Sequence, residues 1–154
     1  MMRYNFVILF LFIFITSCGF KIVNNISNYR ILEVNTSGDN KTNFVLKNKL
    51  LINSNNESKN LIKLDISTDK TKSIKEKNIS NQVTKYEIKI DTKIKYSFVK
   101  RNLSNEFTNT KIGSYNVSTR HSETLDNERN LIKLLVEDLS QDILDKFSLE
   151  LNDL

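Results

Sequence analysis

The sequence of 154 residues lacks proline and tryptophan and contains only three glycines, one histidine and one cysteine. One cysteine cannot form an internal disulfide, and one cysteine with one histidine gives too few ligands for the usual zinc site. The glycines lie at positions 19, 38 and 113, so a glycine-rich phosphate-binding loop is impossible. We therefore expect neither a metal nor a cofactor.

Long apolar runs are also scarce, and the only one lies near the amino terminus. It extends from Phe6 to Ile15 and follows the positive charge of Arg3. A helix that spans a membrane needs ~20 apolar residues. This run is about half as long, which is the length of the apolar segment of a secretory signal.

The run ends in ITSC, at positions 15–18, which resembles the bacterial lipobox. In that motif an aliphatic residue and two small residues precede the cysteine that becomes lipidated. The resemblance implies a signal peptide over residues 1–17, cleavage between Ser17 and Cys18, and acyl chains on Cys18. More than one acyl chain is enough for stable anchoring. Gly19, where enteric inner-membrane lipoproteins tend to have Asp, favours the outer membrane. The alternative is an incidental thiol behind an ordinary signal.

The charge is unevenly distributed along the chain, whose formal net charge is +5. Residues 41–121 contain 17 Lys and Arg against 7 Asp and Glu, whereas residues 122–154 contain 3 against 9. A basic surface favours an anionic partner. Because the predicted export argues against nucleic acid, we expect a phosphate-bearing lipid or an acidic protein.

Periodicity predicts six elements after a polar lipidated linker at residues 18–28. Strands are predicted at residues 29–34, 61–70, 86–98 and 107–119, and helices at residues 41–53 and 125–149. The clearest pattern is YEIKIDTKIKYSF at 86–98, which alternates apolar and charged residues over an unusually long strand. Asp39 or Asn40 is a suitable cap for the first helix, and Thr124 for the second. Around Gly113 the alternation slips, which predicts a bulge.

The order β-α-β-β-β-α predicts an α+β fold, with one domain over residues 29–154. Two helices would pack on one face of a mainly antiparallel four-stranded sheet, because each helix and each strand has one apolar side to bury. The lysines would then make the other face of the sheet basic.

Catalytic residues are not evident, and we expect that the protein is not an enzyme. His121, beside Arg120 at the junction between sheet and helix, is predicted to be a surface residue. The carboxylates of Asp65, Asp69 and Asp91 alternate with lysines, which is typical of a solvated strand face.

The lipobox cysteine, the polar linker and the element order together resemble the lipopolysaccharide-assembly lipoprotein family LptE of Gram-negative outer membranes. The agreeing stretches are YRILEV, NFVLKNKLLI, YEIKIDTKIKY and DNERNLIKLLVEDLSQDIL. The resemblance covers nearly all of the chain after residue 18. It implies an LptE-like α/β sandwich that plugs the lumen of an LptD-like β-barrel, aids its assembly and contacts lipopolysaccharide.

The resemblance also implies lipopolysaccharide-contacting cations before the Tyr86 strand and near the start of the last helix. The candidates here are Lys75, Lys77 and Arg120, and weaker ones are Lys85, Lys100 and Arg101. Ile79 and Leu125 lie close to where the family has basic residues, so the loops depart from its pattern. The alternative is a free periplasmic lipoprotein that binds an anionic lipid or serves a transporter.

Overall fold

The computed structural model describes residues 28–101 and 103–152. The elements are β1 (Arg30–Gly38), α1 (Asn40–Ile52), β2 (Leu61–Lys77), β3 (Val83–Phe98), β4 (Leu103–Asn116) and α2 (His121–Asn152). The predicted order and fold class are confirmed. The predicted signal peptide, Cys18 and all of the linker before Asn28 lie outside the described residues.

The four strands form one sheet in the order β1-β2-β3-β4. β2 pairs with β3, and β3 with β4, in antiparallel fashion, while β1 runs parallel to β2. Parallel neighbours need a crossover connection, and α1 lies in that connection. The sheet is therefore mainly antiparallel with one parallel edge pair.

The predicted strand faces are correct for β2 and β3, whose alternate residues are buried. Both helices cover this face, and one hydrophobic cluster fills the space between helices and sheet. Its fully or almost fully buried members include Ile62, Leu64, Ile66, Ile88, Ile90, Ile94, Tyr96, Leu46, Leu50, Val136, Leu139, Ile143 and Phe147. Burying one such aliphatic side chain contributes about 1.5–3 kcal/mol, so this cluster supplies the main driving force for folding.

The junction between β1 and α1 is tightly built. Gly38 has φ of +91°, and a Cβ atom there would lie 1.9 Å from the backbone oxygen of Thr68. The N–H of Asp39 donates to that same oxygen at 3.0 Å, and its carboxylate caps α1 by accepting from the N–H of Thr42 at 2.8 Å. The Thr68 hydroxyl donates to the buried Asn43 side chain at 2.9 Å, which fastens α1 to the sheet.

Only part of the apolar stripe predicted for α1 faces the core. Phe44, Leu51 and Ile52 are 69%, 39% and 80% exposed, whereas Leu46 and Leu50 are fully buried. The reason is that, among the described elements, α1 packs mainly on the edge strand β1, its neighbour β2 and α2, which leaves the rest of its surface to solvent.

The bulge predicted at Gly113 is wrong. β4 pairs with β3 without a register shift along its whole length. Lys111 and Gly113 face α2, and Ile112 points to the open side with 55% exposure. A Cβ at Gly113 would lie 2.6 Å from Leu131 Cδ1 and 3.2 Å from Leu135 Cδ2. The glycine thus permits close approach of the helix, and the slipped alternation reflects this edge strand's polar inner face.

α2 begins earlier and ends later than predicted. Its 32 residues give a length of roughly 48 Å, which matches the roughly 50 Å of the 16-residue β3. Thr124 is therefore not the N-cap; it lies in the first turn, and its hydroxyl oxygen accepts from the N–H of Ser118 at 2.9 Å. Hydrophobic periodicity did not predict this turn because residues 121–124 include no apolar side chain. The first apolar residue of α2 is Leu125.

β2 and β3 continue as a pair well beyond the end of β1, as the long predicted strand required. β1 pairs with β2 only up to Gly38 opposite Thr68, whereas β2 and β3 pair as far as Lys77 opposite Val83. Residues 78–82 form the turn, in which Asn81 has φ of 62°. We call this part of the molecule, with the adjoining end of β4 and start of α2, the hairpin end.

We expect Ile88→Asp and Leu139→Asp to lower the free energy of unfolding by at least about 4 kcal/mol, because each places an unpaired charge in the core. Ile112→Asp is the control, since the same chemical change falls on an exposed isoleucine and should cost no more than about 0.5 kcal/mol. Urea unfolding measures all three. Equal stability of the three variants would mean that the faces are assigned wrongly.

Candidate functional site

At the hairpin end, three strands and α2 bring aromatic and charged side chains together. Ile74 of β2 lies opposite Tyr86 of β3, and Tyr86 lies opposite Tyr115 of β4. The two tyrosine rings stack with centroids 5.8 Å apart and an angle of 29° between their planes. Because these positions continue the inner face of the sheet, the rings lie on the side that carries α2.

Lys72 occupies the centre of this group. Its Nζ lies 4.4 Å from the centroid of the Tyr86 ring and 5.4 Å from that of Tyr115, within the range of a cation–π contact. The same ammonium group pairs with the carboxylate of Glu128 on α2, and the Tyr115 hydroxyl donates to that carboxylate at 2.7 Å. β2, β4 and α2 are therefore joined through one ion pair.

The electrostatics of this cluster keep both ions charged. Partial burial acts to raise the pKa of Glu128, but the hydrogen bonds from Lys72 and Tyr115 outweigh it and hold the pKa below its usual value. Burial likewise acts to lower the pKa of Lys72, and its hydrogen bond to Glu128 reverses that effect and raises the pKa. The charge of Lys72 is thus paired within the fold.

A cleft of about 290 Å³ lies beside the cluster. Its lining residues are Lys72, Tyr86, Val117, Ser118, Thr119, His121, Thr124, Leu125 and Glu128. The first turn of α2 therefore contributes to one wall, and a helix N-terminus favours negative charge. Val117 and Leu125 are 36% and 37% exposed. The cleft combines hydroxyl groups, the start of a helix dipole and apolar side chains.

Lys75 and Lys77, two of the predicted contact residues, lie at the hairpin end. Lys75 pairs with Glu87 at 3.0 Å, and both side chains remain partly exposed. Lys77 donates to the Asn81 side chain in the turn at 3.0 Å. Because Glu87 belongs to the open face of the sheet, Lys75 lies on the side opposite the cleft.

Arg120, the third predicted contact residue, immediately precedes α2 and lies next to the cleft. It forms a long ion pair of 3.6 Å with Glu123, and its side chain is 80% exposed. Ile79 is fully exposed at the tip of the turn, and Ile74 is 52% exposed. The structure thus brings all three predicted cations to one end of the molecule, on different faces, and the same end carries exposed apolar side chains.

The weaker candidates divide between the two ends. Lys85 pairs with Glu76 at 2.8 Å at the hairpin end. Lys100 and Arg101 lie in the turn between β3 and β4, at the opposite end of the sheet. They cannot join the same site, because the strands between the two ends are roughly 50 Å long.

The open face of the sheet is not the basic surface that the sequence predicted. Its lysines are matched by carboxylates from neighbouring strands or positions, at N–O distances of 2.8–3.8 Å. The pairs are Lys63–Glu33, Lys89–Asp91, Lys93–Glu106 and Lys95–Glu106. Glu33 and Glu106 come from β1 and β4, so strand pairing places acids beside lysines that are distant in sequence. A hollow of about 420 Å³ on this face is likewise lined by both Asp65 and Lys93.

Sequence reasoning missed Lys72, Tyr115 and Glu128 as members of the cluster. A signal for Lys72 existed, because it continues the even-numbered series Ile62–Thr68 that faces the helices. Glu128 carried no such signal, since its partner lies 56 residues away in the chain.

The described residues, 28–101 and 103–152, hold no group of three or more His, Cys, Asp or Glu side chains placed to bind a metal ion. In that same part of the chain, neither helix combines the length and apolar character needed to cross a bilayer.

The fold is shared with bacterial lipoproteins. A candidate lipoprotein of Caulobacter crescentus superimposes with a TM-score of 0.58 at 9% identity, over 83% of this chain and 93% of the other. A minor lipoprotein of Acinetobacter baumannii gives 0.55 at 16% identity, over 77% and 93%. The uncharacterized lipoprotein B of Nitrosomonas europaea gives 0.51 at 14% identity, over 80% and 87%. At such identities the likeness establishes the fold alone.

Similarity at the level of sequence is not found. No protein-family model matches the chain, and no curated protein matches it significantly.

We expect Glu128→Gln to lower the free energy of unfolding by about 1–2 kcal/mol at neutral pH, because it removes a charge-assisted hydrogen-bond acceptor. The pKa of Glu128 is lowered on folding, so this stabilisation is present above its unfolded value of 4.5 and is lost as the pH falls through the folded pKa.

Urea unfolding near neutral pH and at about pH 3 measures this effect. Glu123→Gln, which removes only the exposed pair with Arg120, is the matched control and should change stability by at most about 0.5 kcal/mol. A difference between native protein and Glu128→Gln that persists unchanged in acid would contradict the assignment.

Proposed function

We propose that this chain is a lipid-anchored lipoprotein of the outer membrane that plugs an LptD-like β-barrel, helps it to assemble and contacts lipopolysaccharide during insertion into the outer leaflet. It acts by binding and not by catalysis. The observation that carries the proposal is the ITSC sequence at positions 15–18, ahead of a domain whose fold is shared with bacterial lipoproteins.

The open face supports the role of a plug. The wall of a large barrel is polar on its inner side, so a domain within it needs a polar surface that its own elements leave uncovered. An antiparallel sheet can leave one face to water. Here that face carries alternating lysines and carboxylates already held in ion pairs, so its charges suit a polar wall of either sign.

The hairpin end supports a contact with lipopolysaccharide. Lipid A carries phosphate groups and acyl chains, and therefore needs cations close to apolar side chains. Lys and Arg bind phosphate through charge-assisted hydrogen bonds. Lys75, Lys77 and Arg120 supply the cations there, and the exposed side chains of Ile79 and Leu125 lie in the same region.

Extraction of the native protein in a mild detergent tests the plug. We expect a 1:1 complex with a large β-barrel and an intact mass that starts at an acylated Cys18. Recovery of the lipidated chain alone would instead support the rival, a free periplasmic lipoprotein that binds an anionic lipid or serves a transporter. A chain that starts at Met1 without a lipid would contradict both.

Charge reversal tests the lipopolysaccharide contact. We expect Lys75→Glu, Lys77→Glu and Arg120→Glu together to weaken binding of purified lipopolysaccharide by about tenfold or more, since each lost phosphate contact is worth at least about 1 kcal/mol. The melting temperature should change little, because all three side chains are exposed.

The matched control for that variant is Lys41→Glu, Lys93→Glu and Lys133→Glu, which makes the same change in net charge at exposed lysines away from both ends of the sheet. Lipopolysaccharide affinity should remain close to that of the native protein. Equal losses in the two triple variants would show that only the total charge matters and would remove the proposed contact.

A further inference from the structure

The end of the sheet opposite the hairpin has a distinct chemistry. We call it the tether end and define it by Asn28–Arg30, the loop at residues 53–60 and the turn at residues 99–101. Arg30 donates its N–H to the Asn60 oxygen at 2.8 Å, and Val99 donates its N–H to the Leu61 oxygen at 2.9 Å. The three segments therefore lie side by side on neighbouring strands, within roughly 10 Å.

The point at which the chain enters the fold is fixed to this end. The Ser58 hydroxyl and the Asn60 side-chain amide both donate to the backbone oxygen of Asn28, at 2.8 Å and 2.7 Å. Any membrane anchor upstream of Asn28 therefore pulls on the tether end and not on the hairpin end.

Unpaired cations collect here. Arg30, Lys59, Lys100 and Arg101 are all exposed, and within the described ranges 28–101 and 103–152 no carboxylate forms an ion pair with any of them. Val99, beside Lys100, is 46% exposed. This differs from the open face, where Lys63 and Lys89 pair with Glu33 and Asp91, and Lys93 and Lys95 share the carboxylate of Glu106.

The carboxylates at this end do not cancel that charge. Glu57 is exposed in the same loop as Lys59. Glu150, near the end of α2, pairs with Lys146 at 3.5 Å.

Asp145 of α2 lies close enough to Tyr29 to add to the effect of burial in raising the pKa of that phenol to about 12, and its exposed carboxylate accepts from Gln141 at 2.8 Å. Among the described residues at this end, four cations thus stand against two carboxylates without an ion pair, Glu57 and Asp145.

We infer that the tether end is a docking surface for the anionic phospholipid headgroups of the membrane that holds the anchor. The inference rests on the anchor of the proposed function, but on neither the barrel nor lipopolysaccharide. An anionic bilayer attracts basic segments close to its surface and loses this attraction within a Debye length. Such a patch is also the second signal that strengthens attachment by acyl chains.

The length of the tether limits which end of the domain can reach the membrane. Cys18 and Asn28 are ten positions apart in the chain, and a fully extended chain of that length reaches at most about 36 Å. β2 and β3 are roughly 50 Å long. A domain with its hairpin end on the membrane would place Asn28 beyond the reach of the tether, so the end that can approach the headgroups is the one with the unpaired cations.

The test uses the mature chain from residue 18 with Cys18→Ser, so that no acyl chain contributes to binding. This chain contains the whole described core. Flotation with vesicles of phosphatidylcholine containing phosphatidylglycerol, compared with phosphatidylcholine alone, measures attachment. We expect binding only to the anionic vesicles, and we expect it to fall as salt is added.

Lys59→Glu, Lys100→Glu and Arg101→Glu together should reduce the partition coefficient by about tenfold or more, since each basic residue near an anionic surface contributes roughly fivefold. The corresponding change to Gln keeps the side chains polar without reversing their charge and should give an intermediate loss. Near-native melting temperatures for both variants exclude unfolding as the cause.

The matched control is Lys41→Glu, Lys93→Glu and Lys133→Glu, which has the same net charge, changes exposed lysines outside both ends of the sheet and should bind anionic vesicles like the native chain. Equal losses in the two triple variants, no binding by the native chain, or equal binding to neutral vesicles would each overturn the inference. Failure of the proposed lipopolysaccharide contact would be seen in a different measurement. It would appear as unchanged lipopolysaccharide affinity of the triple variant at the hairpin end, whatever the vesicles show.

Discussion

Burial on one side of the sheet is the constraint on which the rest of the molecule depends. Successive residues of a strand point to opposite faces, and both helices lie on the same face. This alternation between the two faces continues even where the inner residue is polar, as at Lys70, Lys72 and Lys111. A polar group on a covered face needs a partner, and the partners come from Asp39 at the start of α1 and from Glu128 and Asp142 on α2. The ion pairs between helices and sheet therefore follow from the strand alternation, which places these lysines on the covered face.

The same constraint explains which parts of the fold could be predicted from the sequence. Ile88, Ile90, Ile94, Tyr96 and Phe98 alternate with charged residues, so both the strand and its buried face were evident. β4 carries Asn109, Lys111 and Gly113 on its inner face, and this polar series concealed a regular strand. The first turn of α2 contains no apolar residue, so its start at His121 had no periodic signal.

The candidate site could be predicted only in part, because sequence gives a position along an element but not the partner across the sheet. The three cations at the hairpin end were identified through a family resemblance, and the structure places them at one end. Lys72 and Glu128 meet only because β2 and α2 pack together. The same applies to the open face, where Glu33 and Glu106 neutralise lysines of other strands. Counting charges along the chain overestimated the basic character of that face.

Pairing across strands also determines where the excess positive charge remains. Lysines in the middle of the sheet have neighbours on both sides, and these neighbours include carboxylates. Residues in the connections, such as Lys59, Lys100 and Arg101, have no strand beside them to supply one. Unpaired cations therefore collect at the tether end of the sheet, where the chain turns. The length of β3 then separates the tether end from the hairpin end by more than a ten-residue tether can span. The proposed anchor would therefore hold the tether end near its membrane while the hairpin end projects away from it. The long sheet thus keeps the proposed headgroup contact at the tether end apart from the proposed lipopolysaccharide contact at the hairpin end.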